Sequence, residues 1–141
     1  MKFPIFVLMS SLDQMHLLVN LARVDGVVGE KEKQYIINIG QANHMMVAEI
    51  LPLFSEEHEM FVPSGMTEDE KFDCIFQLVK LMKIDQRLYH NEIRYVAEVA
   101  SRLGYDREAL FELMLNVRSA DMSKGEVEAV RELTLKHLKR I

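Results

Sequence analysis

Apolar residues recur along this chain every three to four positions, the period of a helix with one buried face. Over residues 11–22, Leu12, Met15, Leu18, Val19 and Ala22 form one such stripe, and Ser11 with Gln14 has the spacing of a capping box at its start. Asp25-Gly26 interrupts the pattern. A second helix is expected over about 30–43, with Tyr35, Ile36, Ile39 and Ala42 inward. A third spans about 46–54, where Pro52 ends it early or kinks it.

Pro63 and Ser64-Gly65 mark residues 55–66 as the long connection. Thr67 with Glu70 is a capping box for a helix over about 68–84. The next helix, 90–103, turns Ile93, Val96, Ala97 and Ala100 inward and has Gly104 just past its end, where a left-handed cap belongs. Asp106 caps a helix to about 117. Ser123 with Glu126 caps a last one to about 139, whose Lys136, Lys139 and Arg140 suit the negative end of the helix dipole. No segment alternates as a strand does. The expected fold is all-α, a compact bundle of about seven helices.

The pattern also repeats. At an offset of 60, Leu18, Val19, Leu21, Asp25, Glu32 and Tyr35 match Leu78, Val79, Leu81, Asp85, Glu92 and Tyr95, six identities in nineteen positions. Arg23-Val24 likewise answers Lys83-Ile84, and Ile36 answers Val96. Both copies place an apolar helix before an Asp, an apolar residue three positions later (Val28, Leu88), and a Glu seven positions after the Asp. This predicts a duplicated helical hairpin inside one domain, 1–141, with copies over about 11–54 and 67–118. Two units are too few for a solenoid.

Asp25-Gly26-x-Val28-x-x-x-Glu32 fits the second half of an EF-hand loop. In the first half, ligand positions fall on Leu21 and Arg23, and in the second copy on Leu81 and Lys83. A hard cation needs six to eight oxygens, which these residues cannot supply, so an EF-hand is excluded. Two carboxylates per copy remain: Asp25 with Glu32, and Asp85 with Glu92. One reading is structural, with the Asp bonding turn amides and the Glu favoured in a first helical turn. The other joins the two turns on one surface as a weak site for a divalent cation or a cationic partner.

The Asp25-Gly26-x-Val28…Glu32 pattern, echoed by Asp85, Leu88 and Glu92, resembles the tellurite-resistance TerB-like family. It is also similar to the N-terminal domain of membrane-anchored DnaJ-type co-chaperones. The resemblance covers roughly residues 10–140. It implies an all-helical fold, a place in the cytoplasm or at the inner membrane face, a link to stress and metal-oxyanion resistance, and no enzymatic activity. Two departures stand out: Gln86 replaces the turn glycine, and Gly29 stands where a further acid would strengthen a metal site. No His-Pro-Asp tripeptide is present, so the resemblance implies no J domain.

Composition narrows the function classes. The chain has 141 residues, 49% of them hydrophobic, and a formal net charge of -5. An acidic balance argues against nucleic acid as the partner. A single cysteine, Cys74, rules out a disulfide framework and a multi-cysteine zinc site within the chain. It reads as a buried, inert thiol rather than a nucleophile, because no basic or glycine-rich context activates it. His58 stands in Glu56-Glu57-His58-Glu59 and reads as part of a solvated acidic loop, since Val62 occupies the place of a second zinc-ligating histidine. His16, His44, His90 and His137 have no ligand spacing.

Residues 34–70 contain no Lys or Arg but seven acids, Glu49, Glu56, Glu57, Glu59, Glu68, Asp69 and Glu70, so this segment carries -7 and the remainder +2. It is either a solvated loop with helix-start acids or an acidic surface for a basic partner. Ten methionines suit core gap-filling, yet Met45, Met46, Met60 and Met66 cluster around the long connection as a candidate apolar groove for a partner helix or peptide. The apolar N-terminus, residues 1–10, is expected to strap onto the domain; it is too short to span a bilayer or to serve as a signal core. The expectation is therefore a cytoplasmic, non-catalytic binding or scaffold module with a protein partner and no cofactor. A divalent-cation sensor is the alternative.

Overall fold

The computed structural model describes residues 10–24, 26–84, 89–118 and 121–138. They form seven α-helices: α1 (Ser11–Arg23), α2 (Glu30–Ala42), α3 (Val47–Ile50), α4 (Glu68–Met82), α5 (His90–Leu103), α6 (Arg107–Asn116) and α7 (Lys124–Leu135). A 3-10 turn, Leu51–Ser55, extends α3. The fold among these residues is an all-α bundle, with one isolated antiparallel bridge between Tyr105 and Leu138. No helix of the described residues is long and apolar enough to cross a membrane. The expected N-terminal strap, 1–10, falls outside the described residues except for Ser10.

Helices α1 and α4 lie at the centre because their apolar residues reach around most of each helix. Met15, Leu17, Leu18, Val19, Leu21 and Ala22 are buried on α1, and Phe72, Cys74, Ile75, Leu78, Val79, Leu81 and Met82 on α4. The two pack on each other. Helix α2 lies against α1, α5 against both, and α6 and α7 cover α4. The outer helices bury a single stripe: Glu92, Val96, Val99, Ala100 and Leu103 on α5, and Ala109, Leu110 and Leu113 on α6.

Capping explains most boundaries. Thr67 with Glu70 and Ser123 with Glu126 form reciprocal capping boxes, and Asp106 caps α6. At the start of α1 the box is Ser10 with Asp13, one residue before the expected Ser11 and Gln14. This earlier box leaves Gln14 free to reach α4, where its Nε2 donates to the Gln77 side chain at 2.8 Å. Pro52 has no N–H to continue an α-helical ladder, so α3 ends at Ile50 and the chain tightens into the 3-10 turn.

Helix α5 ends at Gly104, whose φ of 95° is the left-handed conformation expected there, and Tyr105 N donates to Ala100 O. Sixty residues earlier the same cap closes α2, with His44 at φ 67° and Met45 N donating to Gly40 O. Helices α2 and α5 also begin 60 residues apart, at Glu30 and His90, as do α3 and α6 at Val47 and Arg107.

Three inward assignments are corrected. Leu12 is 44% exposed, because it sits in the first turn of α1, while Leu17 is buried. Ala42 and Ala97 are exposed. A methyl group is small enough to be tolerated in water, so alanine reports poorly on which face is buried. Helix α4 stops at Met82 and α7 at Leu135, short of the expected ends.

Candidate functional site

The acidic turns come first. Asp25 and Asp85 lie outside the described residues, so the separation of the two turns is not described either. Gly26 adopts φ 89° and its N–H returns to Arg23 O at 2.9 Å, closing the turn after α1. Glu32 is half-buried, and its Oε1 lies 3.1 Å from where a Cβ on Gly29 would sit. Gly29 is the N-cap of α2, so this carboxylate folds back over its own helix start. Glu92 occupies the corresponding first turn of α5 and is 3% exposed. Among the described residues no group of three or more His, Cys, Asp or Glu side chains is placed to hold a metal ion.

The four methionines of the candidate groove divide by burial. Met66 is buried in the core, Met45 and Met60 pack against it half-buried, and Met46 is exposed. Gap-filling, the alternative reading, describes the first three. The acids divide as well. Glu56, Glu57, Glu59, Glu68 and Asp69 are exposed, whereas Glu70 caps α4 by accepting from Thr67 N at 3.1 Å. Asp69 pairs with Arg131 of α7.

The loop around His58 exposes Glu56, Glu57 and Glu59 to solvent, and its backbone is pinned to the helices beneath. Carbonyls of Glu56, His58 and Met60 accept from Arg23, from Asn20 Nδ2 at 2.8 Å and from Arg102 Nη1 at 2.8 Å. The His58 ring stacks on His16 with centroids 4.0 Å apart and planes 7° from parallel. Its Nε2 lies 2.9 Å from Leu53 O. A hollow of about 300 Å³ beside this segment is lined by Asn20, Arg23, His58, Met60 and Tyr95. Burial pushes the Tyr95 hydroxyl up to about 12, against the opposing pull of Asn20. Sequence spacing could not disclose this arrangement, because its donors lie on α1 and α5.

Cys74 is 3% exposed on α4, and burial, with Asp73 beside it, pushes its thiol up to about 12. A thiol held protonated is a poor nucleophile, in keeping with its reading as inert.

A cleft of about 750 Å³ lies between α5 and α6, lined by Arg94, Ala97, Glu98, Tyr105, Arg107 and Phe111 among others. Phe111 is 61% exposed, and Leu115, one turn further along α6, is 81% exposed. Side chains four apart share a helix face, so the two project together while Leu110 and Leu113 pack inward. A signal for this was present in the sequence. The run Ala-Leu-Phe-Glu-Leu-Met-Leu over 109–115 is apolar nearly all round, more than one buried stripe requires. Comparison with protein-family models, curated proteins and solved structures finds no significant match for this chain.

Proposed function

We propose that this chain is a non-catalytic interaction module, of the TerB-like kind its turns resemble, that seats an amphipathic helix of a partner protein along the α5–α6 cleft. The observation that carries the reading is Phe111 with Leu115, two large apolar side chains projecting together beside a concavity. Scattered exposed apolar residues are ordinary; a same-face pair beside an apolar-floored cleft is the arrangement that receives a helix. The cleft volume alone would also suit a small molecule. Phe111 and Leu115 extend outward rather than closing a cavity, which favours a partner's surface. Arg94, Glu98, Arg107 and Glu108 at the rim supply both signs of charge, suited to orienting a helix that carries both.

The test is a display selection of amphipathic helical peptides against the intact chain. Selected peptides are expected to shift NMR signals of α5 and α6. Replacing Phe111 and Leu115 by Ser should weaken their binding about 30-fold or more, the range of buried anchors. The melting temperature should stay nearly unchanged, because both side chains are already in water. Binding elsewhere, or binding insensitive to both substitutions, would overturn the reading.

The alternative, a divalent-cation sensor, draws on Glu92, a carboxylate buried in the first turn of α5. Calcium or manganese titration separates the two readings. A sensor's melting temperature rises with metal concentration, since ligand bound only to the folded state stabilises it. An interaction module's stays level up to millimolar metal.

A further inference from the structure

Residues 56–62 cross α1 and α5 as an extended strap. Glu56 has φ -121° and ψ 151°, and the carbonyls held by helix donors are those of Glu56, His58 and Met60, every second one. That alternation is the period of extended backbone. The strap's aromatic contact with α1 is the stack of His58 on His16, 4.0 Å between centroids. A carbonyl only accepts, so His58 Nε2 carries a hydrogen toward Leu53 O, and Nδ1 is the atom left to take up a proton. Two neutral imidazoles stack without penalty, whereas two imidazoliums at this distance repel.

The charged surroundings decide when that happens. Asp13 on α1 and Glu56 on the strap favour a proton on His16. Burial and the neighbouring His58 oppose it and prevail, so His16 protonates below its ordinary range. Arg23 and Arg102 are occupied on the strap carbonyls of Glu56 and Met60. Tyr95 of α5 is neutral throughout the acid range. The strap itself covers part of the apolar core: Met60 and Val62 are packed against it.

We propose that the His16–His58 stack is an acid-sensitive latch that holds strap 56–62 across α1 and α5 near neutral pH and releases it on mild acidification, uncovering Met60, Val62 and the Tyr95 hollow. The sign follows from linkage. A histidine in a free chain titrates near about 6.5. With the closed-state value lowered, the latch is fully engaged above that pH and is lost as pH falls through the lowered value. Each unit of depression corresponds to a roughly tenfold shift of the closed-to-open ratio.

A nitroxide on Glu59→Cys, an exposed strap position, reads the latch through its broadening of α1 amide signals while the histidine ring shifts report protonation in the same samples. Broadening is expected at pH about 7.5 and should disappear toward pH about 5, following the His16 titration. His16→Phe keeps an aromatic stack that cannot charge, and its broadening should persist to the acid end. If that variant folds poorly, His16→Gln, also uncharged, serves the same purpose. Broadening that survives in the native chain once both rings are protonated overturns the latch. So does loss at the same pH in the uncharged variants.

Discussion

Replacing Phe72 by Ala is expected to lower the unfolding free energy by about 3–5 kcal/mol, read by urea or guanidinium denaturation. Phe72 is 2% exposed and is among the largest fully buried side chains of the bundle. It stands in the first turns of α4, one of the two central helices, where the Thr67–Glu70 capping box anchors the backbone and limits collapse around a cavity. Its ring also packs on Phe76, with centroids 5.3 Å apart and planes tilted by 37°. Phe76 is the internal control, being half-buried, with Lys80 Nζ 5.9 Å from its centroid. Phe76→Ala should therefore fall well short of the Phe72→Ala loss. Equal losses would show that α4 does not hold Phe72 as the core residue described.

The second large effect is expected at Gly40, in the last turn of α2. A Cβ there would lie 2.5 Å from Ile50 Cδ1 and 3.0 Å from Met15 Cε, so the hydrogen of glycine is what lets α2 approach α1 and α3 this closely. Gly40→Ala sets two effects against each other. Helix propensity favours Ala by about 1 kcal/mol, while overpacking a filled core costs about 1–3 kcal/mol. Ile50 is 0% exposed, and besides its terminal methyl its Cγ1 would lie 3.0 Å from the new Cβ, so packing is expected to prevail and the variant to be destabilised. Gly40→Val adds two methyl groups and should reach the upper end of that range, about 3 kcal/mol.

A double-mutant cycle makes the cause specific. Ile50→Ala alone removes buried volume and destabilises by about 2–5 kcal/mol. Combined with Gly40→Val, the new side chain fills the vacated space, and the pair should be less destabilised than the two losses added, by about 1–3 kcal/mol of coupling. Strict additivity would mean that the two positions do not compete for the same space.

Helix existence was legible wherever local chemistry decides it. The boxes at Thr67–Glu70 and Ser123–Glu126, the cap at Asp106 and the left-handed Gly104 all operate within a few residues, and each stands where the spacing places it. Pro52 likewise shortens α3 through its own missing N–H. Leu12, Ala42 and Ala97 depart from the periodic pattern for two physical reasons: periodicity says that a face is buried but not how far toward the helix start a neighbour covers it, as at Leu12, and an alanine methyl is tolerated in water, as at Ala42 and Ala97. His44 takes the left-handed position after α2 that glycine takes on α5, a conformation uncommon for any side chain though histidine is among those enriched in it.

The candidate surfaces divide along the same line. The apolar excess of 109–115 was visible, but only the packing of α6 shows that Phe111 and Leu115 are the residues left outside. The strap's anchors could not be read at all: Asn20 reaches His58 across 38 residues, Arg23 reaches Glu56 across 33, and Arg102 reaches Met60 across 42.

What the chain determines by itself is therefore its set of helices, their caps and the class of its fold. Periodicity, capping and proline act through bonds between residues three or four apart, and those bonds form wherever the chain goes. What only the tertiary structure decides is which apolar face stays uncovered and which histidine meets which. Both depend on how α1 and α4 pair at the centre and on what the outer helices and the 56–62 strap then reach, and those contacts join residues tens of positions apart. The turns at Asp25 and Asp85 share a pattern along the chain, but a pattern along the chain carries no distance between them.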